Sequence, residues 1–392
     1  MMHDVVVVGG GPVGSYTASI LAERGFDVLV LEGSPSPGDR AICTGLIGVE
    51  AFERFHLSTG SVVNTIENVT FVSPSGFSFS YRPGSPRALL VDRCRFDRDM
   101  ADMALGQGAE LKFNSLVRDV KIREHDVIVE VESPGRRLDL RAKLAVVACG
   151  FNPELTEKLG LGSPTEFLQG GQVEVDCEGV KETEVYVGRL VAPDSFAWVV
   201  PIGPEKARIG VITRENADVY LRSFLKSPMI GSRIKGEKPE ISVGAIPIRP
   251  IPKSSRERVL VVGEAAGLVK PTTCGGIYYG LISAEFAAQT IEEAFSRGRF
   301  TNEFLKKYEQ KWRHELASEL EIGYRFRQIF STIGDEKIDR LFEILNSDGI
   351  SPLIHRMAQF DWHKDLILTL SKQGIFRKYL EPLSVFAERF RA

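Results

Sequence analysis

Three glycines in Gly-x-Gly-x-x-Gly spacing, Gly9, Gly11 and Gly14, stand directly after four consecutive valines, Val5 to Val8. Glu32 follows roughly 20 residues on, at the end of a second apolar run, Val28 to Leu31. This set of residues can hold a dinucleotide. Gly9 permits a tight turn, Gly11 lets the backbone approach a pyrophosphate, and Gly14 lets a helix pack close to a strand. The helix that begins here offers free N–H groups and a positive dipole end to phosphate oxygens. The Glu32 carboxylate can accept from both hydroxyls of an adenosine ribose. The other groups able to do chemistry are five scattered cysteines, Cys43, Cys94, Cys149, Cys177 and Cys274. No CxxC pair occurs among them, which argues against a structural zinc site and against a secreted disulfide framework. The six histidines show no metal-ligand spacing, and no Ser-His-Asp grouping can be argued.

The elements that must position these groups follow from the pattern. Val5–Val8 reads as a buried parallel strand, Ser15 to Glu23 as a helix, and Val28–Leu31 as the next parallel strand, a complete βαβ unit. Gly33 to Gly48 is rich in Gly, Pro and Ser and too long for a simple connector, which marks it as a functional loop; Cys43 sits inside it. Val69 to Tyr81 reads as strand, turn and strand around Pro74-Ser75-Gly76. Leu89–Val91 is a short strand, followed by a helix to about Leu105. Val117 to Val131, with a turn at Pro134-Gly135, reads as a β-meander, and Leu144–Ala148 as another continuous apolar strand. From Gln172 to about Val211 short alternating strands replace this pattern and predict a second, antiparallel sheet inserted into the first domain. Val259–Val262 returns to a parallel-type strand, ending in Gly263-Glu264-Ala265-Ala266. A helix is expected from Tyr278 to Phe295, and nearly everything beyond Thr301 is helical.

Composition narrows the function classes. At 392 residues the chain suggests about two domains. The net charge of -3 gives no electrostatic case for a nucleic-acid partner. Val5 to Ala22 is uncharged, but its glycines and Pro12 fit strand-turn-helix better than a membrane span, and Met1 to Asp4 lack the positive region of a signal peptide. The expectation is a cytoplasmic protein, soluble or peripheral at a membrane.

The fingerprint alone serves NAD and FAD equally. Two downstream features separate them: the second strand ending in Gly263-Glu264-Ala265-Ala266 with a glycine turn and helix behind it, and the cluster Arg93…Phe96-Asp97. Together with the fingerprint they closely resemble the FAD-binding signature of para-hydroxybenzoate-hydroxylase-type flavoproteins. Within that group the sequence resembles the geranylgeranyl reductase family. Ile42-Cys43-Thr44-Gly45 stands where the family shows Arg-Cys-Gly-Glu-Gly. Phe196-x-Trp198-x-x-Pro201, followed by Ile209-Gly210-Val211, is similar to its Tyr-x-Trp-x-Phe-Pro-Lys…Asn-Val-Gly. Pro271 to Ile277 resembles its Asp-Pro-Ile-Thr-Gly-Gly-Gly-Ile. The chain departs from the family at Ile42, Thr44, Ile202, Glu264 and Cys274, the last replacing the first of three glycines.

The resemblance implies an α/β fold: a Rossmann-type FAD-binding domain (1–165 and 245–300), an inserted antiparallel-sheet substrate domain (166–244, with part of 60–92 contributing), and a helical C-terminal region (301–392). It implies that Gly9, Gly11 and Gly14 face the pyrophosphate and Glu32 the ribose. Arg93 would lie beside the pyrophosphate or ribityl chain, Val117 would meet the adenine through its backbone, and Glu264 would reach the ribityl or pyrophosphate region. Gly275, Gly276 and Ile277 would present N–H groups to the flavin N1/O2 edge. The Cys43–Thr44 loop would lie over the isoalloxazine, where the Cys43 thiol is a candidate proton donor to a carbon receiving hydride at its neighbour. A Cys43–Cys274 redox pair is a second idea, and it requires Cα atoms within ~7 Å. Phe196 and Trp198 point to one face of a strand and, with Pro201, would floor a lipid-like pocket, core packing being the alternative. Aromatic residues Phe304, Tyr308, Trp312, Tyr324, Phe326 and Phe330 recur near helical spacing and either cover the substrate or pack helix on helix. The expected activity is FAD-dependent reduction of C=C bonds of a polyprenyl lipid. The alternatives are a flavin monooxygenase on a small aromatic or hydrophobic substrate, and a flavoprotein that only carries electrons. No second dinucleotide fingerprint is present, so the electron donor is NAD(P)H docking transiently or a ferredoxin-type protein.

Overall fold

The computed structural model describes residues 2–39, 41–236, 240–347 and 349–373. Strand Met2–Val8 is the centre of the first sheet, pairing in parallel with Val28–Leu31 on one side and with Arg136–Val147 on the other. Val5, Val6 and Val7 are completely buried, because a strand covered on both faces has no polar side to show. Glu110–Lys112 and Val259–Val261 extend the parallel order outward. Helices Pro12–Glu23, Arg93–Gly106 and Ile277–Arg297 pack on this core.

Strand Arg136–Val147 serves two partners. Its first half alternates in exposure and closes an antiparallel meander with Val127–Ser133 and Leu116–Ile122. Its second half, Leu144–Val147, is fully buried and pairs with the central strand. The sequence changes from alternating to continuously apolar at that point, which is the pattern change from a half-solvated ribbon to a buried strand.

The second sheet is built mainly from Phe167–Cys177, Thr183–Gly188, Ala192–Gly203 and Lys206–Thr213 in antiparallel order. Val69–Val72 joins it in parallel, paired to Thr183–Gly188, and Ser78–Tyr81 forms the edge beyond. Strand Ser242–Pro247 also belongs to it, pairing with Phe167–Cys177, so the chain returns to the first sheet only after residue 247. A three-stranded sheet of Leu46–Gly48, Val62–Ile66 and Ala88–Val91 is interleaved in sequence with the second sheet and shares an apolar cluster with it.

Helix Asn302–Thr332 spans 31 residues, ~46 Å at 1.5 Å per residue, and ties the two cores together. Near its start Phe304, Tyr308 and Trp312 are buried in the first core, where the Tyr308 hydroxyl donates to the Val261 carbonyl and the Trp312 indole to Ser254 Oγ, at 2.7 and 2.8 Å. Phe326 and Phe330 pack with helices Asp335–Leu345, Ser351–Met357 and Lys364–Lys372 against Phe79 of the second sheet. These five aromatics are therefore packing residues, whereas Tyr324 reaches the cluster described below. The helical pieces expected beyond residue 373 lie outside the described residues.

Candidate active site

The glycine turn divides its work between the protein and a ligand. A Cβ at Gly9, whose φ is +105°, would stand 2.5 Å from the Ala148 carbonyl oxygen, and one at Gly14 would stand 2.0 Å from the Gly9 oxygen. Both glycines are required by the fold itself. A Cβ at Gly11 would meet nothing within 4 Å. Gly11 therefore opens onto the space where the fingerprint needs a pyrophosphate. The helix beginning at Pro12 has no side-chain cap and no acidic residue in its first turn, so its N-terminal charge is left for an anion. These features fit FAD, as does the acid at the end of the next strand. Glu32 is already oriented there, accepting from Gly10 N–H and Ser34 N–H at 2.7 Å each. Ser115 N–H donates to the Glu32 carbonyl at 2.8 Å, which brings Val117, at the start of an edge strand and beside a β-bulge, next to this corner.

Arg93 opens helix Arg93–Gly106 and forms a bidentate pair with Asp97 one turn on, at 3.0 and 3.1 Å. Burial works against its charge, but Cys43 and Asp97 outweigh burial and hold the guanidinium charged. Glu264 sits in the turn after strand Val259–Val261 and accepts from Phe151 N–H at 3.0 Å; burial raises its pKa, against that bond and the Arg93 charge. Arg93 thus links the Cys43 loop, Asp97 of its own helix and the Gly263 turn electrostatically.

The loop bearing Cys43 is fixed from the second sheet. Gln172 Nε2 donates to the Cys43 carbonyl at 3.1 Å and its Oε1 accepts from the Thr44 hydroxyl at 3.5 Å. Arg208, itself held by Glu174, donates to the Thr44 carbonyl. Gly45 N–H lies 3.4 Å from Cys43 Sγ. All five cysteines are free, so Cys43 and Cys274 stand as separate thiols. Their surroundings differ. Cys43 is half-buried beside Arg93, whereas burial raises the Cys274 pKa against the nearby Arg327 and Lys270. Burial also pushes the Cys149 thiol up to about 12, at the strand end beside Gly9.

Cys274 takes φ +61°, the left-handed conformation that glycine adopts without strain. It belongs to a turn closed by Cys274 N–H to the Lys270 carbonyl, 2.8 Å, and Lys270 N–H to the Gly275 carbonyl, 3.0 Å. Gly276 then caps helix Ile277–Arg297 with no side-chain cap and no acid in the first turn, a second open helix N-terminus. Arg327 Nη1 holds the Pro271 carbonyl at 3.1 Å.

Phe196 and Trp198 do share a face. Their rings lie 6.0 Å apart, in an apolar cluster with Leu168, Val200, Ile248, Tyr324 and Cys274. Trp198 packs against Gly210, where a Cβ would stand 2.2 Å from its ring. Its Nε1 is buried with no partner among the described residues, one free donor in an apolar wall. Pro201 has the parity of Ala197 and Val199, which pack in the second sheet's own core, and takes part through its carbonyl, which accepts from Asn64 Nδ2 at 2.8 Å.

Sequence reasoning missed the segment around Phe360–His363. Lys270 Nζ pairs with Asp361 at 2.7 Å and with the Phe360 carbonyl at 3.1 Å, Tyr279 donates to the Asp361 carbonyl at 2.8 Å, and Thr272 Oγ1 meets His363 Nδ1. These residues are polar and widely separated in sequence, and no local motif joins them.

A Rossmann-type sheet with an open glycine turn, an inserted antiparallel sheet and a second uncapped helix behind the turn whose Cys274 joins the apolar cluster define an FAD-dependent oxidoreductase. The FAD-binding domain family model matches residues 2–321. A digeranylgeranylglycerophospholipid reductase of Methanothermobacter thermautotrophicus is 31% identical over 373 residues, covering 90% of this chain and 94% of that protein. Another, of Methanocaldococcus jannaschii, is 30% identical over 365 residues, covering 89% and 92%. The crystal structure of a geranylgeranyl bacteriochlorophyll reductase-like protein of Thermoplasma acidophilum superposes with a TM-score of 0.86 at 21% identity, over 97% of this chain and 99% of that one. The chain belongs to the geranylgeranyl reductase family of FAD-binding proteins.

Proposed function

We propose that this protein reduces isolated C=C bonds in the polyprenyl chain of a lipid. The observation that carries the reading is the apolar face of Leu168, Phe196, Trp198, Val200 and Ile248, which shares one cluster with Cys274 and with Leu46, three residues beyond Cys43. An unactivated alkene offers no group to hydrogen-bond, so its recognition rests on apolar enclosure. The relatives named as digeranylgeranylglycerophospholipid reductases support the same substrate class.

Bound FAD, once reduced, supplies hydride. In this reading Gly9, Gly11, Gly14 and Glu32 hold the dinucleotide end, with Val117 at the adenine and Arg93 and Glu264 along the linking chain. Gly275, Gly276 and Ile277 hold the flavin N1/O2 edge. Cys43 gives the proton from Sγ to the alkene carbon that does not receive hydride, and is reprotonated from solvent. Two electrons enter with each cycle, either as hydride from NAD(P)H or as two single electrons from a ferredoxin-type protein docking from outside, in which case solvent supplies the accompanying proton.

Among the described residues no helix is long and apolar enough to cross a membrane. Ile42 is an exposed apolar side chain on the Cys43 loop, and a bilayer surface presenting the lipid would meet it there. The reading is tested by comparing gas consumption with lipid turnover. A reductase converts polyprenyl lipid anaerobically, whereas substrate-dependent O₂ uptake would support a monooxygenase instead.

A further inference from the structure

Lys270 and Asp361 form a buried ion pair, with side chains 4% and 3% exposed. Lys270 also lies over the Phe360 ring, 4.5 Å from its centroid. Its stem runs across Gly275: a Cβ there would stand 2.7 Å from Lys270 Cε and 3.1 Å from Nζ. An ammonium is therefore fixed against the turn that leads into the uncapped helix N-terminus. Asp361 is delivered from the far end of the chain. Besides the Tyr279 bond, its segment is tied down by the Glu319 carboxylate, which accepts the N–H groups of His363 and Lys364. Asp361 Oδ2 is buried with no partner among the described residues, so its charge is compensated chiefly by Lys270.

Burying two full charges is a poor way to hold a turn, since apolar side chains of the same volume do so without desolvation. The pair is better explained by what charge does at this place. We propose that Lys270 and Asp361 together set the reduction potential of the bound FAD. The Lys270 ammonium beside Gly275 favours the negative charge that reduction adds to the flavin N1/O2 edge, and Asp361 moderates that effect. Other charges facing this turn are Arg327 on the Pro271 carbonyl and Glu319 behind His363. The inference rests on the reading that Gly275 and Gly276 take that edge.

The test is the midpoint potential of the full-length holoprotein, measured by anaerobic dye equilibration. Asp361→Asn leaves the cation unopposed and raises the potential. Lys270→Gln leaves the anion and lowers it. Each change corresponds to at least a tenfold shift in the ratio of reduced to oxidised affinity, about 30 mV for a two-electron couple. The double variant, with both charges removed, falls between the singles, and the charge-conserving Lys270→Arg stays with the parent. If one single variant does not fold, the other still decides, since its potential must move in the stated direction by at least that amount. Shifts of the same sign in both singles, or potentials that do not move while FAD remains bound, overturn the assignment. Failure of the parent protein to bind FAD would instead overturn the cofactor reading beneath it.

Discussion

Val13 packs against Gly263: its Cγ1 lies 3.1 Å from where a Cβ would stand at Gly263, and its Cγ2 2.4 Å from where one would stand at Gly280. The first turn of the first helix is thus in contact with the turn and helix some 250 residues later in the chain. The dinucleotide fingerprint and the Gly263–Ile277 segment meet at one place, as they must if they hold two ends of one molecule. Gly263 and Gly280 are small because Val13 occupies the space a side chain would need.

Gly14 and Gly11 of the fingerprint separate under substitution. Gly14→Ala drives a methyl into the Gly9 carbonyl and destabilises the protein by about 2 kcal/mol or more, seen as a lowered melting temperature without FAD. Gly11→Ala has room in the free protein and leaves that temperature within a degree or two. It weakens FAD at least tenfold, about 1.4 kcal/mol, by blocking the approach of the pyrophosphate. Equal loss of stability in both variants would contradict the assignment of Gly11 to the ligand.

Much of this arrangement was legible in the sequence because it is written in local patterns. The βαβ unit shows as valines, glycines and an acid in order, and Phe196 and Trp198 share a face because strands alternate. Cys274 stands where the related motif has glycine, and its φ of +61° identifies a real backbone requirement behind the motif. The Lys270–Asp361 pair was illegible because its partners lie 91 residues apart and buried charges carry no sequence period. The short helices Pro153–Lys158 and Ala217–Leu225 were missed too: at six and nine residues they owe their form to packing rather than propensity. Strand Ser242–Pro247 falls across the expected 244/245 boundary because its pairing partner, not its composition, assigns it to the second sheet.

Cys43 is held by groups that do not themselves react. Gln172→Ala removes the donor to the Cys43 carbonyl and frees the loop at a cost of about 1 kcal/mol. Alkylation of Cys43 by iodoacetamide should then speed up severalfold, and kcat fall, with FAD affinity unchanged. Cys43→Ala should slow the alkene-reducing step by about 100-fold or more, the contribution of a positioned general acid, while FAD stays bound. Unaltered turnover in Cys43→Ala would remove the thiol from the chemistry.

Burial and the neighbouring Lys270 cation push the His363 imidazole down to about 3. The native protein therefore keeps it neutral where the unfolded chain, titrating near 6.5, binds a proton. The stabilising contribution is complete above pH 6.5 and is lost as the pH falls towards 3. Between pH 7 and pH 5 this amounts to about 2 kcal/mol. Denaturant melts of the parent and of His363→Asn should diverge in pH slope across that window, the variant losing less on acidification. Parallel slopes would contradict a buried neutral His363.

The proposed reaction is reduction of an alkene at a flavin held between the glycine turn and the Gly275–Ile277 segment. Its most direct test is a single anaerobic turnover: photoreduced holoprotein mixed with a polyprenyl glycerophospholipid, with flavin absorbance and lipid mass followed together. The expected result is return of the oxidised flavin spectrum in step with a lipid product heavier by the two hydrogens added across one double bond. Flavin that stays reduced in the presence of every polyprenyl lipid offered would contradict it.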